Sequence, residues 1–365
     1  MKPNNLASVV VGGGIHGLTS AIALARKFNN VTLVEKNDSL LSGTSGSTHN
    51  RAHMGYHYPR SIETAVECLD GLRFFQREYP SALVYPEEAF YLVAKEGSKT
   101  TAEQFEIFCN TVGISYERST PGQDLCRSEA IESGFKVREP IFDIITLASL
   151  LEKRASEAGV TIRRGAEVVG FDRKNGRYNI VVNTSEGASS IVADVVVNAT
   201  YARANNTLRL LGAENGFTRY ILQKTEVAVI KSKKKIPALT VMDGKFVSII
   251  PLANTQSTYL LYDVNNSVVS CTEGFFFEDD KSQMSNFGKM IEHGKVYFPF
   301  VKNVEYVRSL HGSRPIRIGV AGDSRTTRLV RHSTLPVYSI LEGKFISAPL
   351  IAERLIEKMR SDGIL

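Results

Sequence analysis

The chain has 365 residues, a formal net charge of +6 and 43% hydrophobic residues, the profile of a globular protein long enough to build two cores. Its four cysteines, Cys68, Cys109, Cys126 and Cys271, form neither a C-x-x-C pair nor a zinc spacing, so reduced thiols are expected and a stapled fold is excluded. The first apolar run begins within ten residues of Met1 and no run approaches a membrane span, so a cytoplasmic protein without signal peptide or transmembrane segment is expected.

In chain order, residues 6–11 read as a short buried strand, followed by Gly12, Gly14 and Gly17 at G-x-G-x-x-G spacing. Ile15, Leu18, Ala21, Ile22, Leu24 and Ala25 recur at helical spacing, Val31, Leu33 and Val34 form the next strand, and Glu35 ends it. This order within one βαβ unit is the dinucleotide-binding fingerprint. Gly12 permits the tight turn, Gly14 lets backbone approach a pyrophosphate, and Gly17 lets helix and strand pack closely. The unpaired amides of the helix N-terminus favour phosphate oxygens, while Glu35 accepts ribose hydroxyls and disfavours a 2′-phosphate.

A small-residue segment, 41–47, leads into the block 48–60, where His49, His53 and His57 fall at i, i+4 and i+8. Gly55 and Pro59 argue against a helix there and the block holds no carboxylate, so no metal site is expected. Residues 62–79 read as an amphipathic helix, 82–93 as strand-like, 102–112 as a helix and 144–158 as another, closed by Gly159. Strands are expected at 160–162, 166–171 and 178–182, with Asn175-Gly176 as a hairpin turn. The apolar run 195–199 then resumes the nucleotide-binding layer.

From about residue 218 to 307 apolar and polar residues alternate in short runs, including 225–230, 246–250 and 258–262, which indicates a large antiparallel sheet. Lys231, Lys233, Lys234 and Lys235 read as a solvated hairpin tip, with peripheral contact to a membrane surface or an anionic substrate as the alternative. The run is short and lacks interleaved aromatics, so no nucleic acid partner is expected. A strand at 316–321 and a helix at 347–359 close the chain.

The expected fold is therefore α/β, α+β overall, with a discontinuous Rossmann-like nucleotide-binding domain (1–80, 141–216 and 308–365) and an inserted antiparallel-sheet substrate-binding domain (81–140 and 217–307).

Three segments carry a family resemblance. The glycine fingerprint, Val195-Val196-Val197-Asn198-Ala199 and Gly343-Lys344 before the last helix resemble the D-amino-acid oxidase superfamily of FAD enzymes. Ala52-His53-Met54-Gly55 with Tyr58, Gly312-Ser313-Arg314-Pro315 and Gly343-Lys344-Phe345-Ile346-Ser347 are most similar to motifs of FAD-dependent glycerol-3-phosphate dehydrogenases and L-2-hydroxyglutarate oxidases. Three features depart from the pattern: Tyr201 stands where glycine ends the late strand's motif, Glu342 replaces a glycine of the terminal motif, and the pair Tyr56-His57 widens the polar character of the flavin-proximal block.

The resemblance implies FAD, with Gly12, Gly14, Gly17, Glu35, Thr44, Ser45, Ser47, Val168, Lys344 and Ser347 as its binding residues. It places His53 near the flavin, where a neutral imidazole can accept a hydroxyl proton, and makes Arg314 an anchor for a carboxylate or phosphate. Tyr58 and Arg331 complete the expected substrate contacts, with Arg314 also counted as catalytic. The implied reaction removes a hydride from a C–H beside a hydroxyl or amine of a small anionic substrate, with oxygen or an unidentified acceptor taking the electrons. An amine, amino-acid or amino-sugar oxidase, a non-redox or non-catalytic flavoprotein, and an NAD-binding module are the alternatives.

Overall fold

In the computed structural model, which describes residues 6–278, 284–319, 325–332 and 336–365, the first apolar run becomes strand Ala7–Val11 at the centre of a six-stranded sheet. It pairs in parallel with Asn30–Val34 on one side and with Val195–Asn198 on the other. Val160–Arg163 extends the sheet beyond Asn30–Val34, Val337–Leu341 extends it beyond Val195–Asn198, and Arg328–Arg331 closes it as an antiparallel edge. Strands buried on both faces need continuous apolar runs, and the two faces divide them by alternation. Val10 meets helices Ile15–Ala25, Ile144–Glu157 and Ala348–Ser361, whereas Val9 and Val11 meet an opposing layer. That layer is the three-stranded antiparallel sheet Glu167–Lys174, Arg177–Thr184 and Gly187–Ala193, whose first hairpin turns at Asn175-Gly176.

A nine-stranded, mostly antiparallel sheet forms the second core. Its spine, Tyr220–Lys231, pairs with Thr258–Asp263, Val268–Gly274 and Glu305–Arg317. Further along lie Val247–Pro251, Ala238–Met242, Ala89–Ala94, Ile131–Val137 and Tyr116–Arg118, with Ala238–Met242 and Ala89–Ala94 running parallel. Among the described residues no helix is long and apolar enough to cross a membrane.

Two expectations change. The strand expected at 316–321 as part of the nucleotide layer is the end of Glu305–Arg317, where Ile316 sits opposite Ile221 in the antiparallel sheet; residues 320 and 321 lie outside the described residues. By pairing, then, 308–317 belongs with the second sheet, and Pro315 is accommodated because this strand pairs on one side only. The lysine run is not a hairpin tip either. The strand that follows it, Ala238–Met242, does not pair with Tyr220–Lys231, so the run crosses between distant strands; Lys234 pairs with Asp124, and Lys235 Nζ lies 2.5 Å from Glu87.

Candidate active site

The glycine turn is built at contact limits. Gly12 has φ +108°, and a Cβ there would stand 2.7 Å from the Ala199 carbonyl oxygen; a Cβ on Gly17 would stand 1.8 Å from the Gly12 carbonyl oxygen. Helix Ile15–Ala25 opens at Gly14 with no capping side chain and no acid in its first turn, and the Ile15 amide donates to Ser45 Oγ at 3.1 Å. Glu35 is 9% exposed; its Oε2 accepts from the Gly13 amide at 2.6 Å and its Oε1 from the Asn37 amide at 2.9 Å. Each oxygen keeps a lone pair for a ribose hydroxyl. The Ala166 amide donates to the Glu35 carbonyl, which places Val168, half-buried and opposite Val182, close along the chain from the same strand end. A turn with no room for side chains, opening an uncapped helix beside a fixed carboxylate, fits a dinucleotide pyrophosphate and its ribose.

The loop after Glu35 ties this turn to the second sheet. Thr44 Oγ1 donates to the Ser313 carbonyl at 3.0 Å and accepts from the Ser313 amide at 3.2 Å. Its hydroxyl therefore holds the Gly312–Pro315 segment rather than standing open to a ligand. Ser47 Oγ donates to the Gly43 carbonyl at 3.4 Å, and its Cβ and carbonyl lie against Gly312.

The block 48–60 is braced from below by a buried network. Arg51 donates to Tyr91 at 2.5 Å, to Glu139 at 3.3 Å and to Thr240 at 2.5 Å; Tyr91 donates to Glu139 at 2.7 Å, and Glu139 accepts from the Met54 amide at 2.9 Å. Above it the three histidines converge without forming a helix. The rings of His53 and His57 lie 5.5 Å apart, each 5.4 Å from Tyr58, and His49 meets Tyr262 edge-on at 4.7 Å. His49 Nε2, His53 Nδ1 and His57 Nδ1 are buried with no hydrogen-bond partner among the described residues, and His53 Nδ1 is 4.0 Å from Glu139. Burial holds all three imidazoles well below the ordinary histidine value, reinforced by Arg51 at His49 and His57 and by His57 at His53. The rings are neutral at physiological pH.

Lys344 Nζ sits 4.3 Å from the Tyr58 ring centroid, and burial, followed by the charge of Arg325, lowers its pKa to about 7. Arg314 Nε and Nη2 both donate to Gln223 Oε1, at 3.0 and 2.7 Å, and Nη1 donates to Tyr262 at 2.8 Å. The charges of Arg314 and Arg325 both act on His57, Lys344 and Tyr201. These groups thus share one locus between the two sheets.

Other expected residues are occupied elsewhere. Ser347 is fully buried, with its hydroxyl donating to the Lys344 carbonyl at 2.9 Å and 3.1 Å from Thr327 Oγ1. Arg331 meets Asp362 beyond the last helix, its Nη1 3.5 Å from the carboxylate, so it is tied to the chain terminus rather than to the histidine block. Arg325, Gln223, Tyr262 and the Arg51–Glu139 pair had not been singled out from sequence. Gln223 and Tyr262 lie in strands whose alternation reports burial but not which partner a polar residue meets.

A parallel sheet with a glycine-lined turn, joined to an antiparallel sheet across a site of neutral histidines and clustered cations, defines a dinucleotide-dependent class. Residues 8–357 match the DAO family, FAD dependent oxidoreductase, and the chain belongs to it. The FAD-dependent monooxygenase kojA of Aspergillus flavus is 27% identical over 275 residues, covering 69% of this chain and 60% of the relative. The anaerobic glycerol-3-phosphate dehydrogenase subunit A1 of Haloferax volcanii is 26% identical, covering 95% of this chain and 62% of the relative. The chain thus spans about 60% of the length of these relatives. Among solved structures, the FAD-bound L-alpha-glycerophosphate oxidase of Mycoplasma pneumoniae superposes with a TM-score of 0.78 at 18% identity, covering 98% of this chain and 95% of that one. The family's cofactor is FAD.

Proposed function

We propose that the protein binds FAD across the two sheets and oxidises a small anionic substrate at a C–H beside a hydroxyl. One observation carries the reading, the state of the Arg314 guanidinium. A guanidinium has five N–H donors. Gln223 takes two and Tyr262 one, which leaves one N–H on each terminal nitrogen with no partner among the described residues. Two such donors suit a carboxylate or a phosphate, and Arg325 and Lys344 add positive charge nearby.

FAD, when bound, supplies the hydride acceptor. The residues of this chain do the rest. Gly12, Gly14, Gly17 and Glu35 hold its adenosine half, and Arg314 fixes the substrate anion. His53, neutral, keeps one ring nitrogen able to accept the hydroxyl proton as the C–H bond breaks. Tyr58 packs between His53, His57 and Lys344 and walls the same space. Of the other members of the expected cofactor set, Ser45 and Val168 flank the helix N-terminus and the Glu35 strand end, and we assign them to the pyrophosphate and the adenosine.

The test is an anaerobic screen of the purified yellow protein for bleaching of its flavin absorption by hydroxy acids, polyol phosphates and amines. Bleaching by an anionic hydroxyl compound, and not by its uncharged analogue, is the expected result. Bleaching by amines alone would replace hydroxyl by amine oxidation, and no bleaching by any compound would overturn the proposal. Reoxidation on admitting air identifies oxygen as acceptor.

A further inference from the structure

The row that holds Arg314 runs across three strands of the second sheet. Gln223 of Tyr220–Lys231 stands opposite Arg314 of Glu305–Arg317 on one side and opposite Cys271 of Val268–Gly274 on the other. The next row on the same face is Thr225 and Gly312, and a Cβ on Gly312 would stand 3.4 Å from both the Cβ and the carbonyl oxygen of Ser47. This face therefore lies against the loop that follows Glu35. Tyr262, which accepts from Arg314 Nη1, touches the histidine block through its edge-on contact with His49. Tyr220 and Leu222 alternate to the opposite face, where they pack with Ala202 and Phe277.

A guanidinium only donates, so the Gln223 amide presents its oxygen to it. Oε1 spans Nε and Nη2 at 3.0 and 2.7 Å, while Nε2 turns along the row to Cys271 Sγ, 4.0 Å away. Two other arginines make the same two-pronged contact through Nε and Nη2: Arg177 with Asp194, at 2.8 and 3.0 Å, and Arg328 with Glu342, at 2.7 and 2.6 Å. In both the acceptor is a carboxylate, and the pair cancels its charge. At Arg314 it is an amide, and among the described residues no carboxylate lies within ion-pair distance of this guanidinium.

We propose that Gln223 is a positioning residue that fixes the Arg314 fork with a neutral acceptor, so that the charge stays uncompensated and the site selects anionic over uncharged substrates. The inference rests on the anion-binding role given to Arg314 above. A carboxylate in the place of the amide would hold the fork equally well, but it would cancel the charge and repel an incoming anion. An apolar residue would leave the charge and free the fork to rotate. Fixing the fork and sparing its charge are thus separable by substitution.

The experiment titrates the FAD-loaded protein with acetate and with inorganic phosphate, reading the perturbation of the flavin absorption spectrum, in wild type, Gln223→Glu, Gln223→Leu and Arg314→Met. Gln223→Glu, which keeps the shape and the acceptor, is expected to weaken whichever anion the wild type binds by about tenfold or more, with a melting temperature equal to or above wild type. Gln223→Leu, which loses the acceptor but adds no charge, is expected to weaken it less. A role in packing alone reverses that order, because glutamate is the closer mimic of glutamine. Wild-type affinity in Gln223→Glu, binding by Gln223→Leu that is no tighter than that of Gln223→Glu, or a Gln223→Glu protein that melts below wild type overturns the inference; loss of the response in Arg314→Met then leaves the Arg314 reading standing. An Arg314→Met protein that binds like wild type, or a wild type that responds to neither anion, overturns both.

Discussion

At the scale of single residues, the chemistry depends on the state of His53. Burial and the neighbouring charges of His57, Arg51 and Lys344 favour its neutral form, so a proton acceptor is available at physiological pH without a carboxylate in direct contact. Glu139, 4.0 Å away, is already engaged by Arg51, Tyr91 and the Met54 amide, and its place is to orient the block. His53→Asn keeps a polar side chain of similar reach but removes the base. It should retain FAD and slow flavin reduction by a hydroxyl substrate by about 10²-fold or more. Stopped-flow reduction measures this, and an unchanged rate removes the general-base role. Residues whose roles are local were legible: Gly12, Gly17 and Glu35 act on backbone within one βαβ unit, so spacing alone announces them. Thr44, Ser347 and Arg331 were not, because the partners that occupy them, Ser313, Thr327 and Asp362, are set by tertiary packing that one sequence does not display.

At the scale of elements, the histidine block has no regular structure of its own and takes its shape from the Arg51 network. Arg51 and Glu139 are almost fully enclosed, with side chains 3% and 5% exposed, and each neutralises the other's buried charge. Removing one partner leaves the other as an unpaired buried charge. Arg51→Ala is expected to destabilise the protein by about 3–5 kcal/mol, whereas joint replacement of Arg51 and Glu139 by apolar residues of similar volume should cost much less. Chemical denaturation of the three proteins checks this; equal losses for single and double variants would show that packing, not charge, braces the block. Helices were the more legible elements. The one expected at 102–112 begins at a Thr101–Gln104 capping box and stops at Gly113 with φ +75°, both written locally in the chain. The strand Glu305–Arg317 was misplaced because its half-exposed residues offer no clean alternation, and its short apolar end resembles a buried strand.

At the scale of the whole molecule, burial holds most of the imidazoles neutral. Five of the seven histidines, His16, His49, His53, His57 and His332, have pKa values lowered by burial first of all, and only His293, paired with Asp263, is raised. Below pH 6.5 the unfolded chain protonates these five rings while the folded chain keeps them neutral, so the unfolded state binds more protons and stability falls as pH falls. His16, lowered to about 4 with its Nε2 on the Lys344 carbonyl at 3.1 Å, sets a window from about 6.5 down to about 4. His293 acts in the opposite sense, adding stability below 6.5 that is lost as pH rises through its higher folded value, and it cannot offset five rings. Lys344, lowered from 10.5 to about 7, extends the same upward slope above neutrality. The melting temperature should therefore drop steadily between pH 7 and pH 5, with FAD released early, because four of the five histidines sit in the glycine-turn helix and the 48–60 block that the cofactor would contact. Flavin-fluorescence melts at pH 7.5, 6.5, 5.5 and 4.5 measure both quantities together. His16→Gln, which removes one titrating ring while keeping a donor toward the Lys344 carbonyl, should flatten the slope in that window. A melting temperature independent of pH from 7 to 5 would mean that these rings are not held neutral by the fold, and the proton-acceptor role given to His53 would lose its basis with them.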